Sequence, residues 1–293
     1  MPVALDPGAA EARPLLPASP SPGARALQVI FLVFAFHFAT MLVTTWVARA
    51  GGWPQSAVPL MGQWIHIALG YLVFFGSGAL RRWSLAELRV ALPRRCWPQV
   101  AAATMLNVAI PFAVLGAGAA WALAFAPGEP PPGYRTNDPA LAWEITLHPA
   151  RMLHLVLLSW CAGPILEELL FRGLLFQAFE KPWGPRAATV LSSLAFGLAH
   201  PANMVAAWLG GLVLAGTVLC TGSLRASIVV HALFNLLLSW PLLGQVLFTP
   251  RTGDPASPAT WAMPLACLVL VTFGIPAFLR NAMRAHPVAA AAE

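Results

Sequence analysis

Apolar runs of the length needed to cross a lipid bilayer recur along most of this chain. They lie near residues 27–48, 57–80, 98–126, 152–179, 187–200, 204–221, 224–248 and 260–279. A bilayer core about 30 Å thick needs roughly 20 helical residues to cross. We therefore expect an all-α fold, a polytopic transmembrane bundle of about eight helices. The fifth run is short, so a bundle of seven helices is the alternative.

Charged residues are too scarce to cover a water-soluble surface. They make up 10% of the 293 residues, whereas 58% are hydrophobic and the mean hydropathy is +0.71. A soluble domain is about a quarter charged. The net charge of +6 comes from basic residues grouped between the apolar runs. This distribution is typical of membrane topology, so the expected surroundings are the lipid bilayer, with no nucleic-acid partner.

The basic residues also predict an orientation. With a cytoplasmic N-terminus, 13 of the 17 basic residues fall on the cytoplasmic side, as the positive-inside rule requires. Both termini are then cytoplasmic. Residues 1–26, rich in Pro and Ala, predict a disordered tail. The segment 81–97 is expected to form an amphipathic helix on the inner leaflet, and 127–150 the longest external connection.

Ionisable residues inside a membrane span are costly and therefore indicate function. In the first half of the chain, His37, His66 and Asn107 stand alone and are interpreted as interhelical hydrogen-bonding groups. The fourth span is different, because it carries Glu167, Glu168 and Arg172. The four-residue spacing places Glu168 and Arg172 on one helical face as a pair. Glu167 points about 100° away and is available for another role.

Two further spans add polar residues at membrane depth. The fifth ends in Phe196 and His200, and the seventh carries His231 and Asn235. The two residues of each pair are four positions apart and so share one helical face. A carboxylate can take a proton from water, and a neutral imidazole can orient that water. A second histidine and an amide can stabilise an oxyanion. No convincing serine or cysteine nucleophile is evident, so the residues favour amide hydrolysis by water. A zinc site is the alternative, because one Glu and two His are a common ligand set.

The three motifs together resemble the CAAX-protease and bacteriocin-processing (CPBP) family of intramembrane endopeptidases. They are Glu167-Glu168-x-x-x-Arg172, Phe196-x-x-x-His200 and His231-x-x-x-Asn235. The resemblance implies that Glu167 is the general base and that His200 assists it. It also implies that His231 and Asn235 form the oxyanion hole, with Glu168, Arg172 and Phe196 in support. No cofactor is implied, and the resemblance disfavours zinc.

The resemblance also sets the expected organisation and activity. Residues 27–149 would form the N-terminal transmembrane helices and loops, 150–248 the CPBP-like catalytic core, and 249–293 the last helix and C-terminal tail. The expected activity is cleavage of a membrane-associated peptide or protein, in a site buried at membrane depth. The expected location is a bacterial inner membrane. The alternatives are a non-proteolytic immunity or scaffold protein of the same fold and a zinc-dependent membrane protease.

Overall fold

The computed structural model describes residues 22–52, 58–125, 149–239 and 258–286. This part of the chain is almost wholly helical and contains no strand. The helices are α1 (Pro22–Ala50), α2 (Val58–Gly76), α3 (Gly78–Arg89), α4 (Trp97–Phe125), α5 (149–183), α6 (185–198), α7 (Met204–Thr221), α8 (Leu224–Ser239) and α9 (Pro258–Ala285). The expected all-α helix bundle is confirmed.

Each of the eight apolar runs contains a helix, and the bounds of α7 agree with those predicted. The prediction of a disordered segment up to residue 26 is wrong at its end, because α1 begins at Pro22. Proline suits the first turn of a helix, where its missing N–H has no partner to lose. Residues 1–21 of the predicted tail, residue 126 at the end of the third run, residues 127–148 of the predicted external connection and residues 240–248 lie outside the described residues.

Four helical stretches of the described residues are long and apolar enough to cross a membrane. They are Arg94–Phe125, Met152–Leu198, Met204–Thr221 and Trp261–Ala285. A fifth is reached by counting the bent pair Met61–Gly76 and Gly78–Arg89 as one span. Large apolar side chains such as Phe31, Trp46 and Phe273 are about 70% exposed. Such exposure suits contact with lipid. The chain is an integral membrane protein, and eight crossings stay a prediction.

The chain reverses direction between α5 and α6, and this reversal builds the site. At Gly184 the backbone has φ 76° and ψ 173°, a conformation that glycine adopts without a steric penalty. Beyond the turn, the ring of Phe196 lies 5.1 Å from that of Phe171. One helical turn away, His200 faces Glu167. The two helices are therefore antiparallel and bring the first two motifs together.

Helix α7 lies at the centre of the bundle. All residues from 210 to 219 are buried, and α7 packs against α4, α6, α8 and α9. One apolar cluster fills the space among α5, α6 and α7, and another the space among α4, α7 and α9. These two clusters hold the motif-bearing helices in register.

Helix α3 is amphipathic and bent by 99° from α2. Its arginines Arg81, Arg82 and Arg89 are exposed, whereas Trp83 and Glu87 are buried. Trp83 packs against Gly173 of α5, where a Cβ would lie 2.5 Å from the indole ring. The predicted amphipathic helix is therefore present, although it begins at Gly78 and is followed by a 3₁₀ turn at Arg94–Cys96. Its placement on the inner leaflet stays a prediction.

Candidate active site

Glu167 faces two histidines from different helices. Its Oε2 lies 3.9 Å from Nε2 of His200 and 3.7 Å from Nε2 of His231. Both separations are slightly longer than a direct hydrogen bond, so a water molecule can bridge the groups only from beside them, on the side of the open space. The Glu167 side chain is 23% exposed and the His200 side chain 37% exposed. The carboxylate and at least one imidazole are thus accessible to a small molecule.

Glu168, the next residue, points in the opposite sense into the protein. Its Oε1 accepts from Nη1 of Arg172 at 3.1 Å and from Nδ1 of His231 at 2.9 Å. Its Oε2 accepts from the hydroxyl of Ser227 at 2.5 Å. The side chains of Glu168 and Arg172 are both fully buried. The expected contact between them is present, and Glu168 also orients His231, which the sequence did not indicate.

The ring of His231 therefore lies between two carboxylates. A carboxylate only accepts hydrogen bonds, so Nδ1 of His231 carries a proton and donates it to Glu168. Its Nε2 is left facing Glu167. In neutral imidazole this nitrogen has a lone pair and can only accept. Donation to an oxyanion from Nε2 therefore requires the imidazolium form of His231.

The second motif is fixed through the backbone of its own helix. Nδ1 of His200 donates to the carbonyl of Phe196 at 2.8 Å, which directs Nε2 toward Glu167. The Phe196 ring lies 4.5 Å from the His200 ring and meets the His231 ring edge to face at 5.8 Å. The guanidinium of Arg172 stacks on the same ring at 4.3 Å. Phe196 thus connects the buried ion pair to both imidazoles.

Asn235 lies one turn beyond His231 on α8. Its Nδ2 donates to the backbone carbonyl of Ser159 on α5 at 2.7 Å. The amide carries a second hydrogen on the same nitrogen. Asn235, Glu167, His200 and His231 line one cavity of about 1240 Å³. The structure therefore brings the four predicted catalytic side chains to a common space.

The N-terminal helices also contribute to the lining of this cavity. Its lining includes Thr40 of α1, Gln63 and His66 of α2, and Asn107 of α4. His66 contacts the hydroxyl of Thr40 on α1 at 3.2 Å, which is an interhelical contact as expected. Asn107 instead donates to the carbonyl of Ala103 within α4 at 3.2 Å, so its hydrogen bond is not the expected interhelical one. The side chain of His37 lies outside the described residues. His66 and Asn107 were interpreted only as interhelical hydrogen-bonding groups, because the sequence does not say which helices adjoin the motifs.

Two supporting residues were missed for identifiable reasons. Ser227 also donates to the carbonyl of Leu214, but a lone serine in a span usually indicates packing. The carbonyl of Gly211 accepts from Nη2 of Arg172 at 3.2 Å, but a glycine in a span also usually indicates packing. Among the described residues, no group of three or more His, Cys, Asp or Glu side chains has a geometry that could hold a metal ion.

The comparison with protein families agrees with the motifs. Residues 149–237 match the family described as type II CAAX prenyl endopeptidase Rce1-like. This segment is just under a third of the chain and contains every motif residue named above. The resemblance to the CAAX-protease and bacteriocin-processing family is confirmed for this segment, and it supports an intramembrane endopeptidase in general terms. No curated protein and no solved structure matches the chain significantly.

Proposed function

We propose that this membrane protein, with its CAAX-endopeptidase-type segment at 149–237, hydrolyses a peptide bond of a membrane-associated protein or peptide by direct attack of water. The observation that carries the proposal is the position of Glu167. Its Oε2 lies within 3.7–3.9 Å of Nε2 of both His200 and His231. The Nδ1 atoms of these rings are engaged with other acceptors. Oε2 of Glu167 and Nε2 of His200 are thus both free to accept, and one water molecule can donate to both of them, while Nε2 of His231 faces the same carboxylate.

Glu167 acts as the general base in the proposed reaction. It takes one proton from the water while the water oxygen forms a bond to the scissile carbonyl carbon. His200, tethered to the Phe196 carbonyl through Nδ1, orients the water by accepting a hydrogen bond from its second hydrogen at Nε2. The carbonyl oxygen becomes an oxyanion. When the C–N bond breaks, the proton held by Glu167 passes to the leaving nitrogen.

Asn235 and His231 stabilise the oxyanion. The second hydrogen of the Asn235 amide supplies one donor. His231 supplies the other from Nε2 in its imidazolium form, which takes its extra proton from solvent before the water attacks, with Glu168 holding Nδ1 on the far side. Donors fixed in a water-poor site contribute far more than the same groups in water. Glu168, Arg172 and Phe196 position these donors, and the buried Glu168 and Arg172 do so without lining the cavity.

The substrate is proposed to be a segment of a membrane-associated protein. The family is described as a type II CAAX prenyl endopeptidase, so a prenylated CAAX peptide is one class to be tested. A peptide without a prenyl group is the other. We also propose a bacterial inner membrane location with both termini cytoplasmic, supported by the distribution of basic residues.

The proposal is tested by comparing new protein N-termini in membranes from cells that express the wild type, Glu167→Gln or His200→Ala. The matched control is Glu180→Gln, because Glu180 lies on the same helix but pairs with His286, away from the cavity. We expect termini that appear with the wild type and Glu180→Gln and disappear in both site variants. Identical profiles in all four strains would contradict the proposal and favour a non-proteolytic immunity or scaffold protein. Loss of the termini on chelation would favour a zinc protease.

A further inference from the structure

The carbonyl that holds Asn235 lies in an irregular turn of α5. Residues Leu155–Ala162 are π-helical, and the N–H of Gly163 donates to the carbonyl of Leu158, five residues back. The fit is tight, because a Cβ on Gly163 would lie 2.6 Å from the Leu158 oxygen. Glycine at 163 therefore allows this π-helical bond. π-Helical turns of this kind occur often at functional sites.

The next residue, Pro164, ends this pattern. In the π-helical register, the carbonyl of Ser159 would accept from the nitrogen of residue 164, but proline has no N–H. In the α-helical register, it would accept from the N–H of Gly163, which is directed to Leu158. The backbone of α5 therefore leaves the Ser159 carbonyl without its α- or π-helical donor. The Asn235 amide supplies a donor at 2.7 Å.

A second connection ties the backbone of Asn235 to the same turn. The indole Nε1 of Trp160 donates to the hydroxyl of Ser239 at 2.6 Å. That hydroxyl in turn donates to the carbonyl of Asn235. Two adjacent residues of the π-helical turn thus hold Asn235 at two points. The carbonyl of Ser159 holds the side chain of Asn235, and Trp160, through Ser239, holds its backbone carbonyl. Ser159, Pro164, Asn235 and Ser239 all line the site cavity.

We propose that Pro164 is a positioning residue for Asn235. By removing the helical donor to Ser159, it creates the acceptor that fixes the Asn235 amide and turns its second hydrogen toward the cavity. Trp160 and Ser239 fix the backbone beneath it. The catalytic consequence of this inference rests on the proposed function, in which that hydrogen stabilises the oxyanion. The contact itself does not depend on any activity.

The first experiment measures turnover of a substrate found in the membrane comparison above. Pro164→Ala restores an N–H that competes for Ser159, so kcat should fall about threefold to tenfold, the effect of one ordinary hydrogen bond. KM should be unchanged, because the contact acts in the transition state. In an Asn235→Ala background, Pro164→Ala should have no further effect. The control is Pro276→Ala in α9, which removes a helix-interior proline away from the cavity.

The inference would be overturned if Pro164→Ala kept the wild-type kcat. It would also be overturned if Pro164→Ala lowered kcat by the same factor in the Asn235→Ala background as in the wild type. Ser239→Ala tests the same point if Pro164→Ala fails to fold. Ser239→Ala removes the second connection, so it should lower kcat in the wild-type background and have no further effect in the Asn235→Ala background.

The second experiment needs no substrate. In protein labelled with ¹⁵N-asparagine, the side-chain amide signal of Asn235, assigned by its loss in Asn235→Ala, should shift in Pro164→Ala and stay in place in Pro276→Ala. An unmoved signal would overturn the contact. Absence of any cleavage by the wild type, with the signal shifted as expected, would overturn the proposed function alone.

Discussion

Replacing Arg172 by alanine should destabilise the protein strongly. The Arg172 side chain is fully buried with that of Glu168, at a distance of 3.1 Å, and it also bonds the Gly211 carbonyl and stacks on Phe196. Truncation leaves Glu168 as a buried carboxylate with Ser227 and His231 as its remaining donors. Removing one partner of a buried ion pair typically costs about 3–5 kcal/mol. We expect a loss in this range in the free energy of unfolding.

A double variant separates the charge from the packing. Arg172→Met with Glu168→Gln removes both charges at similar volume, and such replacements are often neutral or stabilising. The double variant should therefore be more stable than Arg172→Ala by about 2 kcal/mol, within the usual coupling of contacting residues. Its activity should remain low, because His231 loses its carboxylate partner.

The assay is unfolding of the purified protein in mixed micelles by added dodecyl sulfate, followed by tryptophan fluorescence and circular dichroism. Arg172→Lys serves as a charge-conserving comparison, and it should retain part of the stability. Unfolding of Arg172→Ala at the wild-type dodecyl sulfate concentration would refute the buried-pair reasoning. So would a double variant no more stable than the single one.

Two further outcomes follow from the same geometry. Gly211→Val should lower the free energy of unfolding by about 1–3 kcal/mol, because a Cβ there meets Ser193 Cβ at 2.9 Å and Arg172 Nη2 at 3.2 Å. The neutral control in the same unfolding assay is Gly76→Ala, because a Cβ at Gly76 meets only the flexible Leu72 side chain, at 3.6 Å. Treatment with EDTA should leave cleavage by the purified wild type unchanged, since the proposed mechanism uses only side chains and water, and activity restored by added zinc after EDTA would contradict it.

Much of the helical framework was predictable because hydropathy and helical periodicity are local properties. They predicted the eight runs, the shared face of Glu168 and Arg172, and the direction of Glu167 about 100° away from that face. These features depend on residues at most a few turns apart.

The rest depends on which helices become neighbours. Nothing in the sequence signals that Ser227 bonds Glu168, 59 positions away, or that His66 lines the same cavity as Glu167. The role of Glu168 toward His231 was missed because pairing with Arg172 already accounted for its charge. The Ser159–Asn235 contact depends on a π-helical turn, and the regular α-helical period does not predict such a turn.

Turnover by purified Glu167→Gln protein tests the central claim most directly. The substitution keeps the size of the side chain and removes the carboxylate that faces both imidazoles. We expect a rate at least about 10²-fold to 10⁴-fold below the wild type, the usual contribution of a general base. Dodecyl sulfate unfolding should be unchanged, and Glu180→Gln should cleave normally. Wild-type turnover by folded Glu167→Gln would contradict the account.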